Sequence, residues 1–179
     1  MTSEILGLIQ LGPTIDYSPG ILSKKLSMAF PAFKVEKLPP LTHPAEAYDS
    51  FRKQYHATRL LAVLEDHLRT ADVDRLLGLS ASDIYVPGMN YVFGEARYPG
   101  HAAVISTWRL KTKGKRASRL FASRVFKEAV HEVGHMLGLG HCSESMCVMY
   151  FSESIGDTDN KDSKFCAACR RTLRGLRAE

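Results

Sequence analysis

No stretch of the 179 residues approaches the roughly 18 consecutive apolar positions that a helix needs to cross a bilayer. No internal repeat and no low-complexity tract appears, which sets aside solenoids and disordered linkers. The N-terminal stretch Met1-Thr2-Ser3-Glu4 carries an acid where an export leader would want Lys or Arg. A cytoplasmic location is therefore expected, in which thiols stay reduced. Cysteine is absent until Cys142, and all four cysteines follow it closely: Cys142, Cys147, Cys166 and Cys169. What remains is a chain with 45% hydrophobic residues, enough for one buried core, so a single domain over 1–179 is expected.

The formal charge of +5 is unevenly spread. Residues 1–100 hold 10 basic and 11 acidic side chains, while 101–179 hold 14 and 8, so the excess is C-terminal. One basic cluster is Lys111, Lys113, Lys115, Arg116 and Arg119, and a second is Arg170, Arg171, Arg174 and Arg177. Solvated surface charge is the plain reading of both.

Periodicity sketches the elements. Ile5 to Leu11 is a dense apolar run suited to a buried strand, ended by Gly12-Pro13. Ser18 to Phe30 reads as a helix with Ser18 as cap and Pro19 at its first position, followed by a strand over Phe33 to Leu38. Pro44 to Leu68 has helical phasing, with Leu60, Leu61, Leu64 and Leu68 on one face. Strands are then expected at Asp83 to Val86, Tyr91 to Ala96 and Ala102 to Leu110. A glycine-containing basic loop, Lys111 to Ala117, leads to a helix capped by Ser118 and running to about Gly138. These elements together predict an α/β (α+β) fold with a mixed twisted sheet, a backing helix and a second long helix.

On that second helix the chain reads His131-Glu132-Val-Gly-His135-Met-Leu-Gly138-Leu-Gly-His141. Positions four apart differ by about 40° around a helix, so His131 and His135 aim imidazole nitrogens at one point. Glu132 cannot join them as a ligand from the same face, yet it can overhang a metal and hold a water. Gly138 lets the chain leave the helix through the left-handed conformation, and His141 can return as a third ligand. Three protein ligands leave one position open, which is the mark of catalytic rather than structural zinc. The chemistry so implied is metal-assisted amide hydrolysis with Glu132 as general base.

The cysteines have four and two intervening residues in their pairs, spacings that let tight loops present thiolates to one tetrahedral ion. A disulfide framework, with three possible connectivities, is the competing reading. The run His-Glu-x-x-His-x-x-Gly-x-x-His directly into Cys, then Cys-x-Met, then Cys-x-x-Cys, resembles the archaemetzincin family of the metzincin clan. It covers His131 to Cys169, about a quarter of the chain. The resemblance implies a metzincin-like zincin fold and two Zn²⁺ per chain. A catalytic ion would sit on His131, His135 and His141 with Glu132 as base, above a methionine turn at Met149. A structural ion would sit on Cys142, Cys147, Cys166 and Cys169, in a small zinc-stabilised C-terminal part over about 141–179 following an N-terminal part over about 1–140.

In such an arrangement Tyr91, Val92, Phe93, Gly94 and Glu95 form the exposed edge over the cleft, where a peptide substrate adds as an extra strand and Gly94 allows close backbone approach. A plain strand with a bulge is the alternative for that segment. Tyr150 beside Met149 is read as a packing residue. Asp157 to Asp162 superficially matches a calcium loop, but Asp162 stands where glycine is required, so the match is rejected. His43, His56, His67 and His101 lack partnered spacing and are read as ordinary histidines. Two readings other than a zinc metallopeptidase stay open: a nucleic-acid-binding zinc protein using the C-terminal arginines, and a non-catalytic peptide-binding protein. Against the first, a finger-like module needs no general base, and Phe165 is the lone aromatic among the basic residues.

Overall fold

The structure, a computed structural model, describes residues 4–114 and 117–176. Strand β1 (Glu4–Leu11) is flanked by β2 (Phe33–Lys37) and β5 (Arg75–Ser80), both parallel to it, and β8 (Ala102–Ser106) extends the sheet in the same sense. The antiparallel strand β7 (Gly94–Ala96) pairs with β8 and ends the sheet, giving the order β2-β1-β5-β8-β7. A small second sheet joins β3 (Tyr48–Asp49), β4 (Gln54–His56) and β6 (Ile84–Tyr85).

Alternation along the strands sorts side chains to two faces. Leu6 and Leu8 of β1, Leu77 and Leu79 of β5, and Ala103 and Ile105 of β8 pack with helices α1 (Pro19–Ala29) and α3 (Ala117–Met136). Ile9, Leu11, Leu76, Ala102 and Val104 pack on the other face against Leu60, Leu61 and Leu64 of α2 (Ala57–Leu68). Each of these fully buried leucines contributes about 1.5–3 kcal/mol relative to exposure. The mixed sheet with α2 behind it and α3 in front is the expected architecture.

Several expectations are corrected in detail. The central strand β5 was not foreseen: Leu76-Leu77-Gly78-Leu79 is buried on both faces, so it shows no period-2 signal, and its acidic flank of Asp72 and Asp74 resembles a loop. Helix α2 begins only at Ala57, because residues 45–56 form a single 3-10 turn and the β3–β4 hairpin. Gln54 is buried there, donating to Asp83 Oδ2 and Asn90 O. The strands at 91–96 and 102–110 shorten to Gly94–Ala96 and Ala102–Ser106, leaving Tyr91 to Phe93 as a rim loop. Ser118 lies within α3, one residue after its first position, rather than capping it. Ser18 does precede α1, though its side chain makes no cap bond.

Beyond α3 the chain forms two short helices, α4 (Ile155–Asn160) and α5 (Ala167–Leu176). A capping box starts α4, in which Ser154 and Asp157 satisfy each other's backbone amides. The acids that resemble a calcium loop are thus engaged otherwise: Asp157 caps, and Asp159 takes Arg124 in a bidentate pair at 2.6 and 2.7 Å. Lys161 is fully buried, its ammonium 3.1 Å from Glu128 Oε1, which also accepts from Thr158 Oγ1 at 3.0 Å. These contacts staple α4 along the face of α3 that carries Arg124, Lys127 and Glu128.

Candidate metal centres

Helix α3 ends as its glycine demands. Gly138 has φ +90°, its N–H donates to His135 O, and Leu139 N donates to Gly134 O, the paired bonds of a Schellman stop. The same turn orients His135, whose Nδ1 lies 2.7 Å from Leu139 O. His131 Nδ1 lies 2.8 Å from Val148 O. A carbonyl only accepts, so both Nδ1 atoms carry the proton, and each neutral ring turns a lone pair outward on Nε2. Those two Nε2 atoms face each other at 3.0 Å, and His141 brings its ring nitrogen into the same group. Burial holds His131 well below the usual imidazole range and His135 down to about 4, so both rings are neutral at pH 7. Two opposed lone pairs at this distance repel unless a cation sits between them.

Glu132 overhangs this group from the helix. Only 4% exposed, its Oε2 has no hydrogen-bond partner among the described residues, and burial, followed by the neighbouring Glu128 carboxylate, raises its pKa well above the usual range. Gly94 of β7 makes room for it, since a Cβ there would stand 2.4 Å from Glu132 Oε1. Gly94 thus lets the sheet edge and the helix carboxylate approach each other closely.

Met149 is buried beneath the helix turn between the two histidines; a Cβ on Gly134 would lie 2.5 Å from its sulfur. Glycine inside an exposed helix normally costs about 1 kcal/mol relative to alanine, so Gly134→Ala would stabilise a helix with free space below it. Here the sign reverses. We expect Gly134→Ala to lower stability by about 1–3 kcal/mol and weaken metal binding at the histidines, measured by chemical denaturation and competitive zinc titration. A stabilised variant would rule out the close seat of Met149.

The loop after His141 returns under the site: Cys142 N donates to Met149 O, and Val148 N donates to Lys164 O. It gathers the four thiols, with Cys142 Sγ 3.8 Å from Cys166 Sγ and Cys147 Sγ 3.7 Å from Cys169 Sγ. A zinc–sulfur bond of about 2.3 Å separates tetrahedral sulfurs by roughly 3.8 Å, so these spacings are edges of a tetrahedron sized for that ion. All four cysteines are free rather than disulfide-bonded. The Cys169 amide, donating to Cys166 Sγ, lowers that thiol to about 7, whereas burial raises Cys147 and Cys169.

A cleft of about 760 Å³ runs over the histidines. Val92 to Ala96 form its upper rim with Tyr91, and Phe151 to Glu153 form its lower rim. Sequence spacing does not reveal Phe151, whose ring is 4.8 Å from His141, or Tyr98, whose ring is 5.9 Å from His135. Nor does it reveal Lys161, although Glu128 could be suspected from its place one turn before Glu132. Tyr150 does not line the cleft. His43 bonds to Ser80 Oγ, His101 bonds to Asp74 O, and His56 precedes α2; none of them belongs to the three-histidine group. Arg170, Arg171 and Arg174 are exposed on α5 and Lys111 pairs with Asp16; Lys115, Arg116 and Arg177 lie outside the described residues.

Comparison with known proteins agrees with this geometry. A family profile described as Peptidase family M54 matches residues 28–175. The chain is 45% identical over 130 residues to an archaemetzincin of Methanopyrus kandleri, covering 73% of this chain and 71% of the relative. It is 42% identical over 154 residues to one of Archaeoglobus fulgidus, covering 86% and 89%. The crystal structure of the M. kandleri archaemetzincin superposes with a TM-score of 0.90 at 37% identity, over 98% of this chain and 96% of that one. A zinc-dependent peptidase from Methanocorpusculum labreanum gives a TM-score of 0.79 at 28% identity, over 94% and 99%. A profile match over most of the length, and relatives of this identity aligned over more than two thirds of it, put the chain in peptidase family M54 among the archaemetzincins, as a zinc metallopeptidase.

Proposed function

We propose that this protein hydrolyses peptide bonds at a zinc ion held by His131, His135 and His141, with Glu132 as general base. The observation that carries the reading is the pair of Nε2 lone pairs facing each other at 3.0 Å with both Nδ1 atoms committed to carbonyls. When bound there, zinc supplies a Lewis acid for the scissile carbonyl and lowers the pKa of a coordinated water to about 7. Glu132, buried and with one oxygen unpartnered, takes the proton from the attacking water and returns it to the leaving amine. The free edge of β7 pairs with the peptide backbone, and residues 91–95 serve as the substrate edge. Met149 forms the floor of a methionine turn.

A second, structural zinc is assigned to Cys142, Cys147, Cys166 and Cys169, supported by the two sulfur–sulfur edges. Four thiolates of this kind suit a cytoplasmic location, where they stay reduced. We read the chain as one domain, its part from about residue 141 onward held by that ion. Metal analysis after full loading should return two zinc ions per chain, and graded chelation should first remove the one that supports peptide cleavage, since it lacks thiolates. One zinc per chain, or cleavage that persists after the first ion has gone, would overturn the assignment.

A further inference from the structure

The two rims of the cleft touch at Tyr91, beside the lining residues Val86 and Gly88 to Asn90. The Tyr91 hydroxyl, on the upper rim, donates to Glu153 O, on the lower, at 3.0 Å. This is not a loose surface contact, because the ring is held on both sides. The Arg109 guanidinium lies 4.1 Å from the Tyr91 ring centre and is itself fixed by a bidentate pair with Asp83 at 2.7 and 2.8 Å. Buried Phe93 meets the ring edge-on at 5.4 Å. Behind the loop, Arg52 donates to the carbonyls of Met89 and Asn90, so the rim segment before Tyr91 is pinned as well. Tyr98 stands over His135 and is 59% exposed.

Resting on the peptidase reading above, we propose that Tyr91 is a specificity-determining residue that closes the cleft on the C-terminal side of the scissile bond. The polarity follows from the sheet. A peptide added antiparallel to the edge strand β7, the slightly more stable pairing, runs from Tyr98 towards Tyr91. Gly94 faces Glu132 and marks the reacting centre. Between Gly94 and Tyr91 lie three backbone steps of the rim loop, which at roughly 3.3 Å per residue span at most about 10 Å, room for about two or three substrate residues. Substrates are therefore peptides whose C-terminus lies close to the bond that is cut, with an unrestricted N-terminal side.

The test is a series of quenched fluorescent peptides sharing one N-terminal half and carrying one to eight residues after the cleaved bond, with a matching series lengthened on the N-terminal side. For the zinc-loaded parent, kcat/KM should fall by about tenfold or more beyond roughly three C-terminal residues and change by less than about twofold with N-terminal length. Tyr91→Phe keeps the ring and its stacking while removing the bridge, and should flatten the C-terminal dependence. Dissociation constants of the same peptides for zinc-loaded Glu132→Gln, with and without Tyr91→Phe, give a readout independent of turnover. Length-limited affinity without any cleavage would sink the peptidase reading and leave the Tyr91 strut standing. Cleavage and affinity indifferent to C-terminal length, a dependence that Tyr91→Phe does not relieve, or a limit on the N-terminal side instead, would each overturn the strut.

Discussion

Glu132→Gln in zinc-loaded protein is expected to lower peptide turnover by about 10² to 10⁴, with zinc content and peptide affinity retained. The amide fills the space of the carboxylate opposite Gly94 but has no place for the proton of the attacking water, so ground-state contacts survive and the transition state loses its base. The same substitution should leave thermal stability unchanged or raise it. Glu132 is 4% exposed with an oxygen that has no partner among the described residues, an arrangement that costs folding energy, and an amide in its place has no charge to desolvate. Calorimetric melts beside kcat measurements separate the two effects. Undiminished cleavage would remove Glu132 from the mechanism, while a large drop in melting temperature would mean that the carboxyl has a structural partner instead.

The three-histidine group was legible in the sequence because its geometry is local. Two ligands four residues apart on a helix, a glycine stop and a third ligand three residues later leave little for tertiary structure to decide, and the Schellman turn at Gly138 with its bond pattern to Gly134 and His135 is what the glycine predicts. The cysteines were legible for the same reason, as short spacings. The central strand was not, since Leu76 to Leu79 is buried on both faces and alternation, the usual mark of a strand, disappears when both sides are covered. Nor was the ring of contacts around the cleft. Tyr91 to Glu153 and Glu128 to Lys161 join residues 62 and 33 positions apart, pairings set by the sheet order and by the docking of α4, on which sequence periodicity is silent.

That long-range wiring sets an order of dependence between the two metal groups. Cys142 follows His141 directly, its amide holds Met149 O, and Val148, between Cys147 and Met149, supplies the carbonyl that fixes His131. The second coordination layer of the histidine site is thus carried on the loop that the cysteines tie together. Cys147, Val148 and Met149 seat this loop in the main core, but apolar packing thins beyond it: Cys169 is the one buried residue of α5, and α4 is fastened by the Arg124–Asp159 and Glu128–Lys161 pairs.

Cys169→Ser is therefore expected to cost several kcal/mol, a substantial part of the about 10–16 kcal/mol that structural zinc typically supplies to small folded units, and to release both zinc ions together. His135→Ala should lose a single zinc and melt close to the parent, because the Schellman turn and the apolar face of α3 remain intact without the imidazole. The measurements are zinc counts and thermal melts on both variants, each with and without added zinc. Equal destabilisation by the two substitutions, or a Cys169→Ser protein that keeps the histidine-bound zinc at full occupancy, would break the proposed hierarchy. Retained occupancy would mean that the carbonyl of Val148 holds His131 without help from the cysteine loop, and that the two ions bind independently.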